Sequence, residues 1–242
     1  MMDQLLLEHF LVIDIETVSV NKDYDTLDKH WQYLWGEKVS RLLPENTTLA
    51  DYYLQRAGVM AEFAKVICIS IGYFKKQGGK LQFRIKSYFE AKELDLLQHF
   101  VQDVQQFGNV RKNWIFAGHN LKEFDIPFLC RRLMVNGLAI PSFLDFQNRK
   151  PWETNLVDTF QYWRFGDYKN YTSLQLLAAV LNIPSPKDDI DGSQVGHVYW
   201  VEKDLRRIVV YCQKDIITVA NILLRFKNQP LLEAGQVFFV HG

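Results

Sequence analysis

Residues 9–17 read HFLVIDIET, an almost continuous apolar run that gives way to two carboxylates. A short apolar run of this kind is typical of a strand that is buried on both faces in the centre of an α/β sheet. We therefore predict a strand over residues 9–15. Asp14 and Glu16 are two residues apart, so their side chains point to the same face of this strand, at its end.

The pair Asp14 and Glu16 is a candidate metal site. Uncompensated charge beside an apolar core is costly, and the two carboxylates also repel each other. A divalent cation such as Mg²⁺, which prefers carboxylate oxygens, would remove both penalties. The alternative is that the two acids are simply the first polar residues of a surface loop, and so short a pattern does not decide between them.

The rest of the chain alternates between strand and helix patterns. Continuous apolar runs predict further strands, and apolar residues spaced three and four apart predict amphipathic helices. Their order is typical of an α/β fold in which a central mixed sheet is flanked by helices. The predicted strands cover residues 63–74, 80–89, 113–117 and 155–157, and the predicted helices cover residues 93–107, 123–136, 172–181 and 203–227.

The length and composition bound the domain organisation. A chain of 242 residues fits one large domain, and no internal repeat or low-complexity tract divides it. We therefore expect a single domain over residues 1–242. Residues 19–62 form an insertion that is rich in Trp and Tyr among charged residues. This segment is too aromatic for a disordered linker, which favours a lid or side helices folded over the domain.

Charge and cysteine content exclude several classes of protein. The 28 Lys and Arg residues balance the 28 Asp and Glu residues. This excludes a globally basic nucleic-acid coat protein but leaves room for a local basic groove. Three cysteines without regular spacing argue against a disulfide framework, so we expect reduced thiols and a cytoplasmic location. Neither a signal peptide nor an apolar stretch of the ~18 residues needed to span a bilayer is evident.

Two further acidic positions fall on predicted helices. Asp125 stands at the start of the helix that follows the strand at residues 113–117. There it either reaches a ligand crevice beyond the strand ends or only interacts with the helix dipole. Tyr211 and Asp215 are four residues apart in the last helix and hence on one face. Apolar neighbours indicate that this helix is largely buried, so Asp215 needs a partner on a neighbouring element or a shared metal.

Three motifs carry a family resemblance. They are D-I-E-T at residues 14–17, H-N-x-x-x-F-D at residues 119–125 and Y-x-x-x-D at residues 211–215. In this order they resemble the motifs of the DEDDy 3′–5′ exonucleases, a superfamily of ribonuclease-H-like fold that includes DNA polymerase proofreading domains and ribonuclease D. The stretch at residues 158–193, with D-T, F-G-D-Y, Y-T-S-L and D-G-S, is most similar to predicted exonucleases related to the proofreading domain of family-B DNA polymerases.

The resemblance implies a two-metal nuclease site. Asp14, Glu16, Asp125 and Asp215 would coordinate two Mg²⁺ or Mn²⁺ ions about 3.5–4 Å apart. Tyr211 would orient or deprotonate the attacking water, with its pKa of about 10 lowered in effect by the adjacent metal. The implied reaction is hydrolysis of the terminal phosphodiester of single-stranded DNA from the 3′ end, which releases nucleoside 5′-monophosphates.

Five further residues are candidate substrate contacts. Asn120 and Phe124 would touch the terminal nucleotide, Phe124 by stacking or wedging, although core packing is at least as good an interpretation of Phe124. Thr17 closes the first motif and joins this set. Lys187 and Ser193 lie in the polar loop before the last helix, where a phosphate contact and plain solvation both fit.

Alternative functions stay open at the level of sequence. The substrate could be RNA, as for ribonuclease D, because no residue that distinguishes the sugars can be identified. A non-catalytic nucleic-acid-binding module on the same fold is a second alternative, although the presence of all four carboxylates argues against it. The chain has no phosphate-cradling glycine loop and no nucleophile elbow, which argues against an unrelated α/β enzyme. Proofreading would need a polymerase partner in trans, and a repair role is the other option.

Overall fold

The computed structural model describes residues 4–111, 114–147, 149–150, 153–184 and 190–240. Its strands are β1 (Phe10–Ser19), β2 (Ala64–Gln77), β3 (Lys80–Tyr88), β4 (Ile115–Gly118), β5 (Leu156–Asp158) and β6 (Val237–Phe239). They form one six-stranded sheet in the order β5-β4-β1-β2-β3-β6. β2 is antiparallel to β1 and β3, whereas β4 is parallel to β1, β5 to β4 and β6 to β3.

Helices flank this sheet. They are α1 (Lys29–Val39), α2 (Leu49–Arg56), α3 (Glu93–Val110), α4 (Asp125–Val135), α5 (Thr159–Arg164), α6 (Leu174–Val180), α7 (Val195–His197) and α8 (Leu205–Phe226). α7 continues directly into a π-helical turn over Val198–Glu202. A mixed sheet with three antiparallel strands followed by two parallel ones, covered by helices, is the ribonuclease-H-like arrangement, and the predicted α/β fold class is confirmed.

The core lies on both faces of the sheet. Successive side chains of a strand point to opposite faces, so neighbouring residues of β1 enter different cores. Val12 packs with Ile216 and Leu223 of α8. Ile13 packs on the other face with Phe100 of α3 and Phe128 of α4. This two-sided burial is the physical reason that the first strand reads as a continuous apolar run.

β1 is longer than the sequence predicts, which corrects the position of the first two carboxylates. The strand was expected to end at residue 15, but it continues to Ser19 because it pairs with β2 along its length. A bulge falls between Glu16 and Thr17, where Ile67 is the extra residue of β2. Asp14 therefore lies inside the strand rather than at its end, on the face that carries Val12 towards α8.

The aromatic insertion contains two helices with their own buried cluster. Trp35 of α1 and Tyr53 of α2 are fully buried, and their rings meet edge to face at a centroid distance of 5.1 Å. Phe63, just before β2, packs against Trp35 at 5.0 Å and joins this cluster to the sheet. Asp28 caps α1 by accepting a hydrogen bond from Trp31 N–H at 2.9 Å.

Several elements differ from the sequence-based expectation. The predicted helix at residues 123–136 is confirmed as α4, and Gly137 follows it with a φ of 69°, as its Asn-Gly signal predicts. α5, α7 with its π-helical turn, and β6 were not predicted. Residues 113 and 187, which belong to predicted features, lie outside the described residues. Within the described part of the chain, no helix is long and apolar enough to cross a membrane.

Candidate active site

Four carboxylates converge beside the middle of β1. Asp14 and Glu16 come from β1, Asp125 is the first residue of α4, and Asp215 lies in the middle of α8. The Asp125 carboxylate accepts a hydrogen bond from the Ile15 N–H at 3.2 Å, which fixes it against β1. Asp125 and Asp215 each lie close enough to raise the pKa of Asp14 and of Glu16 by electrostatic repulsion. The fold thus brings together acidic residues from all three sequence motifs.

This cluster is electrostatically costly without a cation. Burial, followed by repulsion from the neighbouring carboxylates, raises the pKa of Asp14 and of Glu16 well above the usual range. Burial raises the pKa of Asp125 to about 7, against the lowering by backbone hydrogen bonds, and repulsion from Asp158 and Asp215 adds a smaller increase. A positive charge placed among these groups would favour their ionised forms.

Cys212 of α8 is a contact that the sequence analysis missed. Its Sγ lies 3.3 Å from Asp14 Oδ2, and the ligand atoms of Asp14, Glu16 and Cys212 all lie within 4.8 Å of one another. Burial raises the pKa of Cys212 well above its usual value, so this residue is a thiol that donates S–H to Asp14 rather than a thiolate ligand. The remaining candidate metal ligands are carboxylate oxygens, which fit Mg²⁺ or Mn²⁺.

Tyr211 stands next to the carboxylates. Its hydroxyl hydrogen-bonds to Asp215, one helical turn further along α8. Burial, then repulsion from Asp215, Glu16 and Asp14, raises the pKa of Tyr211 above its usual value. Without a cation Tyr211 is therefore a neutral phenol. This rise in its pKa is opposite to the lowering of the pKa that is expected beside a bound metal. Gly192 approaches this hydroxyl, because a Cβ built there would lie 3.9 Å from it.

Asp158 organises the loop of the second motif. It is buried at the end of β5, and its carboxylate accepts hydrogen bonds from the N–H groups of Asn120 at 2.9 Å and Lys122 at 3.1 Å. It also caps α5 by accepting from the Phe160 N–H at 3.0 Å. This carboxylate therefore holds residues 119–124 in place beside the cluster through the backbone.

His119 is a satisfied structural residue. Its Nε2 donates to the Thr172 carbonyl at 2.9 Å, and its Nδ1 lies 3.0 Å from Thr159 Oγ1. Burial lowers its pKa, so the ring is neutral at pH 7. The next residue, Asn120, has a left-handed backbone with a φ of 62°. Its Oδ1 is buried and has no hydrogen-bond partner among the described residues, which leaves an acceptor free in the loop that precedes Asp125.

The other predicted contacts are placed as follows. The Thr17 hydroxyl donates to the Gly58 carbonyl at 2.6 Å. Phe124 is partly buried and packs against the core with Phe128 at a centroid distance of 5.4 Å, in line with the core-packing alternative. Ser193 is exposed, and its hydroxyl donates to Asp191 at 2.5 Å. Lys187 lies outside the described residues.

The long-range contacts of Cys212 and Asp158 were invisible to local pattern reading. Cys212 lies 198 residues from Asp14 in sequence, and Asp158 lies 38 residues from Asn120. The only available signal for Cys212 was its position three residues before Asp215 on the same helix face. Asp158 itself belongs to the D-T pair of the family resemblance, and its position before a helix predicts the N-cap role that it has in α5.

The sheet order and its helices define an α/β protein of ribonuclease-H-like fold, with a carboxylate cluster on its central strand. The chain belongs to the family of predicted 3′–5′ exonucleases related to the exonuclease domain of PolB, which matches residues 59–231. The matched region includes Asp125, Tyr211 and Asp215. Asp14 and Glu16 lie before it and join the site through the fold.

The solved structures that are similar to the chain include a DNA polymerase. It is the family B DNA polymerase from the hyperthermophilic archaeon Pyrobaculum calidifontis, with 16% sequence identity over 90% of this chain and a TM-score of 0.48. The chain corresponds to 24% of the length of that polymerase chain. Comparison with curated proteins gives no match.

Proposed function

We propose that this protein is a metal-dependent 3′–5′ exonuclease that hydrolyses the terminal phosphodiester bond of single-stranded DNA and releases nucleoside 5′-monophosphates. The observation that carries the proposal is the convergence of Asp14, Glu16, Asp125 and Asp215 next to the Tyr211 hydroxyl. Membership of a family of predicted exonucleases supports the same reaction class. The DEDDy assignment follows from tyrosine at position 211.

The four carboxylates are the proposed ligands of two divalent cations, Mg²⁺ or Mn²⁺. Asp14 would contribute to both cation sites. Glu16 and Asp215 would complete the cation site next to Tyr211, and Asp125 would contribute to the other cation site. Bound there, such cations acidify the attacking water and stabilise charge on the leaving 3′ oxygen. The raised pKa values of Asp14, Glu16 and Asp125 support this ligand set, because a cation offsets both the burial and the repulsion that disfavour their ionised forms.

The protein's own groups then position the reactants. Tyr211 is held by Asp215, so its hydroxyl can orient the attacking water. Asn120 offers its unpaired Oδ1 to a donor on the terminal nucleotide, such as the 3′-hydroxyl. Phe124 is only partly buried at the start of α4, so its side chain can contact the terminal base. Contacts from Thr17, Lys187 and Ser193 to the substrate are part of the same proposal.

A gel assay tests the proposal. Single-stranded DNA with a 5′ label is incubated with Mg²⁺, Mn²⁺ or EDTA, and the variants Asp14→Ala and Asp215→Ala are run in parallel. We expect a ladder that shortens from the 3′ end, and its loss with EDTA and in both variants. The matched control is Glu37→Gln, which removes an exposed carboxylate of α1 and should cleave like the wild type.

The same assay distinguishes the alternatives. Shortening of a labelled RNA but not of DNA would transfer the proposal to an exoribonuclease of the ribonuclease D type. Binding of either oligonucleotide without cleavage in any metal would instead indicate a non-catalytic nucleic-acid-binding module. Full activity of Asp14→Ala would show that the carboxylates have been assigned the wrong role.

A further inference from the structure

A basic and aromatic cluster lies outside the carboxylate site. It consists of Lys65 of β2, Tyr199 and Trp200 of the π-helical turn, and Lys203. The Lys65 Nζ lies 4.9 Å from the centroid of the Tyr199 ring and 5.0 Å from that of Trp200, and the Lys203 Nζ lies 5.0 Å from Trp200. These distances fall within the range of cation–π interaction. With Leu205, the four residues line a small open pocket.

The cluster carries positive charge without a matching acid. Neither Lys65 nor Lys203 has a carboxylate within 4.0 Å among the described residues, whereas Lys38, Lys76 and Lys86 each pair with one. The charged groups are held by aromatic rings instead. Rings attract an ammonium group but do not neutralise it, so the cluster remains available to an anion.

Two features of Trp200 and its neighbourhood point to a ligand. The indole Nε1 of Trp200 is buried and has no hydrogen-bond acceptor within the described part of the chain. Buried donors normally have a partner, and an exception calls for an explanation such as a missing ligand. The π-helical turn ends at Lys203, which has a left-handed φ of 59°. Both conformations are uncommon and are found disproportionately at functional sites.

The position of the cluster links it to the carboxylates. Lys65 pairs with Val18 on β1, which lies two residues beyond Glu16 on the same strand face. At about 3.3 Å per residue, Glu16 and Val18 are roughly 7 Å apart along β1, and Lys65 lies one strand spacing of about 4.8 Å further across the sheet. Tyr199 and Tyr211 contact the same small apolar core, formed by residues that include Val18. A strand whose 3′ end reaches the carboxylates can therefore run over this cluster.

We infer that Lys65, Trp200 and Lys203 form a phosphate-binding subsite for the substrate strand, one to three nucleotides on the 5′ side of the bond that is cleaved. This inference rests on the proposed nuclease function for the identity of the ligand. The two ammonium groups contact the sugar–phosphate backbone, and the indole N–H supplies a further donor to a phosphate oxygen. Such contacts do not distinguish sequences, which suits an enzyme that degrades any strand.

Binding without cleavage tests the subsite. Fluorescently labelled 12-nucleotide oligothymidylate and oligouridylate are titrated in EDTA, and anisotropy is measured at several salt concentrations. We expect the double variant Lys65→Gln/Lys203→Gln to bind about 5- to 20-fold more weakly at low salt. The slope of log Kd against log salt should fall by about 1.4, because two phosphate contacts are lost at about 0.7 each.

The matched control removes the same charge elsewhere. Lys75→Gln/Lys80→Gln changes two lysines at the far end of the β2–β3 hairpin and should leave affinity and salt slope as in the wild type. Trp200→Phe keeps an aromatic ring but removes the N–H, and should weaken binding about threefold. With metal present, Lys65→Gln/Lys203→Gln should raise KM for the 12-mer by a larger factor than it lowers kcat.

The outcomes separate this inference from the proposed function. Equal affinity and equal salt slope for both double variants and the wild type would overturn the subsite, whether or not the protein cleaves. Failure of the wild type to bind either 12-mer would overturn it as well. If the wild type binds, Lys65→Gln/Lys203→Gln weakens that binding, and no metal supports cleavage, the subsite stands and the nuclease proposal falls.

Discussion

The carboxylate cluster has its clearest consequences at the scale of single residues. Asp14 and Glu16 on β1 lie near Asp125 and Asp215, which come from two helices. No lysine or arginine is among the groups that dominate the pKa shifts of Asp14, Glu16 and Asp125. These acids are recognisable from sequence because each sits in a short motif. The thiol of Cys212, which donates to Asp14, is not recognisable, because its contact is made only when α8 packs on β1.

The metal-free protein should lose stability as pH rises from about 4 to 8. Asp14, Glu16 and Asp125 have raised pKa values in the folded state, so the folded protein binds more protons than the unfolded chain in this window. Their contribution is complete below the ordinary carboxylate pKa values and is lost as pH rises through the folded values. For Asp125, with a pKa of about 7, it amounts to roughly 4 kcal/mol.

Thermal unfolding in EDTA at pH 5, 6, 7 and 8 measures this effect. Asp125→Asn should flatten the decline, and Mn²⁺ should raise Tm more at pH 8 than at pH 5, because the ligands must be ionised to bind it. A wild-type Tm that rises over this interval in EDTA, with the same slope in Asp125→Asn, would contradict the electrostatic description.

Tyr211→Phe tests the second residue-scale claim. The change removes only the hydroxyl that bonds to Asp215 and leaves the ring in its apolar surroundings. We expect kcat to fall about 10²-fold with Mn²⁺ affinity unchanged, since general acid–base and water-positioning groups contribute about this much. Steady-state kinetics and Mn²⁺ titration measure the two quantities. Unchanged kcat would remove Tyr211 from the mechanism.

At the scale of elements, a buried ion pair joins α3 and α4 to the sheet. Arg132 of α4 donates to both carboxylate oxygens of Glu93 at the start of α3, at 2.9 and 2.6 Å. It also donates to the Ala61 carbonyl at 2.9 Å, and Glu93 accepts from the Val66 N–H at 2.8 Å. This network fixes the helix that begins with Asp125 relative to β2 and the end of the insertion.

Arg132→Met should destabilise the protein by about 3–5 kcal/mol, because it leaves Glu93 buried without a countercharge. The double variant Glu93→Leu/Arg132→Met should recover much of this loss, since it removes both buried charges. Urea unfolding measures all three proteins. The comparison is Lys38→Met, which breaks an exposed pair with Glu62 and should cost about 0–1 kcal/mol. Equal small losses in both single variants would show that burial of the pair is unimportant.

The elements that sequence patterns predicted are those with a local signal. The apolar run of β1 and the Asn-Gly end of α4 are examples. The last four residues of β1 were missed because Thr17 and Ser19 resemble a loop, and only pairing with β2 keeps them extended. β6 was missed for the same reason, since it has three residues and its partner β3 lies about 150 residues earlier. The π-helical turn has no local pattern that distinguishes it from a loop.

At the scale of the whole molecule, we propose that residues 1–242 form one folding unit, with the insertion at residues 19–62 as part of it. Arg132 bonds to the Ala61 carbonyl and Thr17 bonds to the Gly58 carbonyl, so two hydrogen bonds tie the last residues of the insertion to the main core. Phe63, which follows the insertion, packs against Trp35 within it. Calorimetry of the full chain should then give a single transition whose calorimetric and van't Hoff enthalpies agree. Two separated transitions would show that the α1–α2 helices unfold independently.

The central claim is that the carboxylate cluster removes nucleotides from a 3′ end. The most direct measurement uses single-stranded DNA with a label in its 3′-terminal nucleotide, and identifies the released product by chromatography with Mg²⁺ or Mn²⁺ and with EDTA. We expect labelled nucleoside 5′-monophosphate as the first product, formed only with metal and absent from Asp215→Ala. Release of longer labelled fragments, or equal release by Asp215→Ala, would contradict it.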